Sequence, residues 1–247
     1  MKHKRFLLIS LLLLFLLAAC QEPPAEEPLS FETVQLQVTP GLTHWLPRVA
    51  ACANQLPNFG IVTEILQPEQ LDLNQADLIL QLDAPIDEDG FVAVMGTENL
   101  VIIAGREVPV KALSRESVRK IFNGKFDTWD AVPEVMELGI QNNQPIQTLS
   151  YPDGHELQSL FVESFMDSKA PAIPSKIFST NAYLKRLLAD NPLAVGFVLE
   201  SQLPDGAVQL RITGSEERPG ERFVLAITTA EPEGSLKNLL LCLQNRP

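Results

Sequence analysis

Apolar and polar residues alternate over residues 34–39, and this period of two predicts a strand with one buried face. Pro40-Gly41 interrupts it. Leu46, Val49, Ala50 and Ala53 then recur at helical spacing, so a helix is predicted over about residues 44–55. Thr43 is placed to cap it, and Pro47 falls close enough to its start to be tolerated. Residues 59–66 read as a second strand. Residues 76–82, ADLILQL, form a near-continuous apolar run suited to a strand buried on both faces. Residues 91–95 and 100–104 predict two more strands, divided by a polar turn at 96–99. Further strands are expected at 145–150, 194–199, 208–213 and 223–228. Helices are expected at 156–166 (Leu157, Leu160, Phe161 and Phe165 inward), at 181–190, and at the end of the chain. In that last helix Ser235 would be the cap and Leu236, Leu239, Leu240 and Leu243 the apolar stripe. Strands separated by helices indicate an α/β architecture with mixed, mostly parallel sheets.

The stretch 113–132, LSRESVRKIFNGKFDTWDAV, is the most structured in its local signals. Ser114 is a good N-cap, Glu116 suits the positive end of the helix dipole, and Val118, Ile121 and Phe122 share one face. Asn123-Gly124 ends the helix, and Trp129 is expected to fold back on Phe122. Asp127, Asp130, Glu134 and Glu137 read as a solvated face, since the Gly spacing of a calcium loop is missing.

The order Leu-Ser-x-x-x-(aliphatic)-x-x-Ile-Phe-x-Gly-x-(apolar)-x-x-Trp resembles a segment of the phosphate-type solute-binding proteins of ABC importers. Residues 188–197, LADNPLAVGF, resemble the same family's helix-to-strand junction, and residues 223–244 its closing strand and helix. The resemblance covers most of residues 31–247 and implies a two-lobed periplasmic-binding-protein fold of type 2, with a hinge. One lobe would take about residues 31–97 and 211–247, the other about 98–210.

The first nineteen residues carry a basic start (Lys2, Lys4, Arg5) and a short apolar run, the form of an export signal. Leu17-Ala18-Ala19-Cys20 matches a bacterial lipobox, with Cys20 as the lipidated residue; an ordinary signal peptide with a chance Cys is the alternative. Dual acylation would anchor the chain stably. Residues 20–30 are a Pro- and Glu-rich tether that cannot bury a core. The intact chain carries a net charge of −12; without the signal's three basic residues, 16 basic face 31 acidic side chains, a net of −15. Such a chain is not a nucleic-acid binder and would be repelled by anionic lipid, leaving the acyl chains to hold it at the extracytoplasmic face of the membrane. Two further cysteines, Cys52 and Cys242, fall on the first and last helices, which the resemblance places in one lobe. A disulfide and two buried thiols both remain open from sequence.

In open α/β sheets ligands bind beyond the carboxyl ends of strands. Three loops should converge there: 39–45, 81–85 and 151–157. The family's third loop carries Arg, then Gly-Ser-Gly-Thr. Here Tyr151 stands at the Arg position, Gly154 and Phe161 are kept, and His155, Glu156 and Leu157 replace Ser-Gly-Thr. Asp83 matches the family's acceptor of a phosphate proton in Leu82-Asp83-Ala84-Pro85, but Leu82 replaces a Ser. Loop one keeps Thr39 and Thr43 as donors and adds bulky His44 and Trp45. Charged hydrogen bonds contribute ~1.5–3 kcal/mol each, so losing the Arg and two hydroxyls removes several decades of phosphate affinity. The candidate ligand set is therefore Thr39, Thr43, His44, Trp45, Asp83, Tyr151, Gly154, His155 and Glu156.

No nucleophile-elbow, P-loop, dinucleotide or HExxH motif is present, so a non-enzyme is expected, with no cofactor. His44, His155, Asp83 and Glu156 lack fixed metal-ligand spacing, and no metal is expected. The reading is a monomeric receptor that delivers a small or anionic ligand to an ABC permease, with a non-transport adaptor or sensor on the same scaffold as the alternative. An enzyme using Asp83 and Glu156 as a carboxylate pair is a third.

Overall fold

The structure, a computed structural model, describes residues 31–83, 90–171, 175–214 and 219–245. The signal, Cys20, the tether and Pro85 lie outside the described residues. In chain order the elements are β1 (Glu32–Val38), a 3-10 turn (Pro40–Trp45), α1 (Leu46–Ala53), β2 (Phe59–Ile65), β3 (Leu78–Leu82) and β4 (Phe91–Ala104). Next come β5 (Ala112–Ser114), α2 (Arg115–Phe122), α3 (Pro133–Met136), β6 (Leu149–Ser150) and α4 (Glu156–Phe165). β7 (Lys176–Ile177), α5 (Asn181–Asp190), β8 (Val195–Leu199), β9 (Val208–Thr213), β10 (Glu221–Thr228) and α6 (Gly234–Gln244) complete it.

Several expectations shift. The first helix begins as a 3-10 turn, and Thr43 does not cap it: its hydroxyl donates to the Pro40 carbonyl at 3.0 Å. The strand expected at 145–150 shrinks to Leu149–Ser150, where β7 pairs with it; Pro145 and Thr148 make only isolated bridges. Glu233, not Ser235, stands at the cap position of α6, with no side-chain capping bond. Most consequentially, residues 96–99 form no turn. β10 runs antiparallel beside them (Gly96 with Val224, Thr97 with Phe223, Glu98 with Arg222), so β4 is one strand of 14 residues.

The main sheet runs β2-β1-β3-β10-β4-β9-β5, with β8 also on β4. It is mixed, as expected, but parallel pairing does not predominate. β1–β3 and β5–β9 are parallel, but every pairing of β4 and β10 is antiparallel. The long β4 joins two hydrophobic cores. One gathers Leu36, Val38, Leu42, Val49, Leu80, Met95, Val224 and Leu239. The other gathers Ile102, Leu113, Phe122, Trp129, Phe161, Phe197 and Leu210. Two separate cores strung on a shared strand give two lobes, the first holding both β1 and α6.

A disulfide links Cys52 of α1 to Cys242 of α6, with Cα atoms 5.9 Å apart. In the second lobe the opening motif folds as its signals require. The Ser114 hydroxyl accepts from Ser117 N–H at 3.1 Å, and Gly124 takes the left-handed conformation at φ +66°. Glu134, expected on a solvated face, instead accepts from Ser114 N–H (2.7 Å) and the Ser117 hydroxyl (2.8 Å). Burial opposes its ionised form, but those bonds outweigh it and hold the carboxyl below the ordinary range. Trp129 is fully buried, and its indole N–H donates to the Leu193 carbonyl at 3.1 Å. Leu193 lies in LADNPLAVGF, so the two signature stretches close on each other. Phe161 stacks on Phe197 with centroids 3.9 Å apart.

Candidate functional site

Polar loops from the two lobes meet in a cleft. On one side, β1 ends and the 3-10 turn begins at Pro40. Proline has no N–H, so Gly41 offers the first free donor. On the other side, His155 caps α4, its Nδ1 accepting from Leu157 N–H at 3.2 Å. Glu156 is the first helical residue, where the α4 dipole favours a carboxylate. Its side chain crosses the cleft, and Gly41 N–H donates to Oε1. A Cβ on residue 41 would lie 2.2 Å from that oxygen, so a larger residue there would require the Glu156 side chain to move. Burial pushes the Glu156 carboxyl up to about 7, against the lowering effects of Thr39, the Gly41 bond and the charge of His44. The Thr39 hydroxyl faces this carboxylate but makes no hydrogen bond of ordinary geometry.

A second bridge involves Glu98, on the hinge-crossing part of β4. Its carboxylate accepts from His44 Nε2 (2.7 Å), Trp45 Nε1 (3.0 Å) and the Ser201 hydroxyl (2.7 Å). Burial disfavours the charge, yet the bonds from His44, Ser201 and Trp45 prevail and keep the carboxyl low. Gln202 Nε2 donates to the Gly41 carbonyl and reaches His44 Nδ1, both at 2.7 Å. A third bridge centres on Arg222 of β10. Its Nε lies 3.0 Å from Asp83 Oδ2 and its Nη2 3.5 Å from Glu163 of α4, and it donates to the Ser164 hydroxyl at 3.2 Å. Asp83 also accepts from Phe223 N–H at 3.0 Å.

Two chambers flank the Glu156–Gly41 contact. One, of about 460 Å³, is lined by Leu82, Asp83, Glu156, Leu160, Glu163 and Arg222 among others. The other, of about 280 Å³, is lined by Thr43, His44, Tyr151, His155, Thr180 and Gln202 among others. The structure thus brings Thr43, His44, Tyr151 and His155 around one chamber and Asp83 and Glu156 around the other. Trp45 turns away, onto a third cavity of about 630 Å³ beside Arg48 and Glu98. Thr39 is buried, and Gly154 has no atom within 4 Å of where its Cβ would be. Tyr151 stacks on His155 at 4.3 Å and packs on Phe178. Burial pushes its phenol well up, with the Glu156 charge adding to the effect, and pushes the His155 imidazole down to about 4. Ser201, Gln202, Glu98 and Arg222 were not legible as site residues. Among the described residues, no group of three or more His, Cys, Asp or Glu side chains is placed to hold a metal ion.

No known protein-family profile matches the chain. Among curated proteins, the phosphate-binding protein PstS of Bacillus subtilis (strain 168) is 32% identical over 127 residues, 51% of this chain and 39% of that protein. The chain thus matches well under half the length of this relative. A putative phosphate ABC transporter substrate-binding protein from Clostridium perfringens, solved with bound phosphate, superposes with a TM-score of 0.69 at 20% identity, covering 86% of this chain and 93% of that one. An ABC-type phosphate transport receptor from Vibrio cholerae gives 0.67 at 13% identity over the same shares. The chain has the phosphate-type solute-binding protein fold. Within that fold, Glu156, which stands at the Gly of the expected Ser-Gly-Thr, sends its carboxylate across to the opposite loop.

Proposed function

We propose that the chain is an extracytoplasmic solute-binding receptor, anchored through lipid on Cys20, that captures a small ligand for an ABC permease by closing its two lobes. The lobes would be about residues 31–97 with 211–247, and 98–210, and the receptor would act as a monomer. The names of its relatives support this reading, as do the lipobox and the Cys52–Cys242 disulfide, which suits an oxidising compartment. It is a binding protein rather than an enzyme. The carrying observation is that polar side chains of both lobes converge on chambers of ligand size, at the strand ends where such a sheet binds solutes.

Phosphate is not the cargo in this reading. The backbone donor at Gly41 already holds a carboxylate, and the one guanidinium lining the chamber among its described residues is engaged by Asp83 and Glu163. An adaptor or sensor is the second reading. It is favoured by the three side-chain bridges that link the lobes directly.

A melting screen with phosphate, sulfate, amino acids, nucleosides, sugars and amines separates the two. A ligand at 100 times its Kd stabilises by about 2.7 kcal/mol, which for a domain of this size is roughly 5–10 °C. At least one class other than the oxyanions should produce such a shift. Silence from every class would contradict the receptor reading and leave the adaptor.

A further inference from the structure

The charge balance of the larger chamber is unlike that of an oxyanion site. Glu69, Asp83, Glu156 and Glu163 all line it, against Arg222 alone among its described lining residues. Asp83 and Glu163 share that guanidinium, and Glu156 takes no part. Glu156 is 8% exposed; Gly41 N–H donates to it and the Thr39 hydroxyl lies against it, but among the described residues no Lys or Arg forms an ion pair with it. A nearly buried carboxylate therefore lines an open chamber with no Lys or Arg paired to it among the described residues. A buried carboxylate in that condition calls for a positive partner.

We propose that Glu156 is the specificity-determining residue of the cleft: its tethered carboxylate fills the oxyanion position on Gly41 N–H and turns the 460 Å³ chamber over to small ligands carrying a protonated amine. The ammonium sits against Glu156, with Asp83 and Glu163 adding negative charge and Leu82 and Leu160 flanking the carbon skeleton. Oxyanions are excluded because the donor they need is occupied and the walls repel them. This rests on the receptor reading and names its ligand class.

Protonation supplies a signature. The ionisable groups around Glu156 are His44 from the 3-10 turn, Tyr151 and His155 from its own loop, Asp83 at the end of β3, Glu69, Arg222 of β10 and Glu163 of α4. With the carboxyl near 7, a bound ammonium favours the ionised form. Amine binding at pH 7 should then release about half a proton per site.

The test is calorimetric titration of putrescine, ethanolamine, phosphate and glycerol into the full chain at pH 7, in Pipes and in cacodylate, whose ionisation enthalpies differ. Expected are heats with an amine, proton release, and none with phosphate or glycerol. Glu156→Gln, which keeps the shape and removes the charge, should weaken amine binding about 10- to 100-fold and abolish proton release. Should that variant fail to fold, Glu163→Gln on the exposed side of α4 serves instead and should weaken binding several-fold. Amine binding without proton release, amine binding indifferent to both variants, or phosphate binding by the wild type would each overturn the proposal. If neutral solutes bind and amines do not, the receptor reading stands and this one falls. If nothing binds, both fall.

Discussion

Replacing Cys52 and Cys242 together by Ala lowers the melting temperature by roughly 5–15 °C. The bond joins residues 190 positions apart, so it closes nearly the whole described chain into one loop. In the chain-entropy description, cross-links over such spans stabilise by about 2–5 kcal/mol, and a domain of 150–250 residues loses about 2–4 °C per kcal/mol. The location matters as much as the length. α1 and α6 belong to the lobe that holds both chain ends, and the second lobe is an excursion between them. Without the bond, the first lobe must gather its two sequence-distant parts unaided. Scanning calorimetry of oxidised, reduced and double-Ala protein reads this out. The reduced and double-Ala forms should melt together, below the oxidised form; coincidence of all three would show that the bridge adds nothing.

Trp129→Ala costs the second lobe about 3–5 kcal/mol, through the cavity left by a fully buried indole and the loss of its bond to Leu193. Trp129→Phe fills most of the space and leaves the Leu193 carbonyl unpaired, a loss of about 1–3 kcal/mol. Urea unfolding should therefore rank wild type above Phe and Phe above Ala. A Phe variant as stable as wild type would mean that the hydrogen bond between the two signature stretches contributes nothing.

These two contacts show which information local sequence carries. The Ser114 cap, the Gly124 stop and the apolar faces of α2, α4 and α5 depend on spacing within one element, and they were legible. Residues 96–99 were misread because Gly-Thr-Glu-Asn has turn chemistry, while the deciding partner, β10, lies more than a hundred residues away. The same distance hid the site's supports. Glu98 appeared to be part of a turn, and Ser201 and Gln202 follow β8 with no distinguishing pattern. Arg222 is one of several exposed-looking charges until β10 is laid beside Asp83. Glu156 was legible as a departure from the family's third loop. Its reach to Gly41 was not, because that contact exists only once the lobes are folded against each other.

The most direct test is a crystal structure of the full chain grown in excess phosphate. The expected map shows the Glu156 carboxylate on Gly41 N–H and Arg222 still on Asp83, with no tetrahedral density between them. A phosphate oxygen on Gly41 N–H, with Glu156 swung aside and Arg222 turned onto the anion, would contradict it.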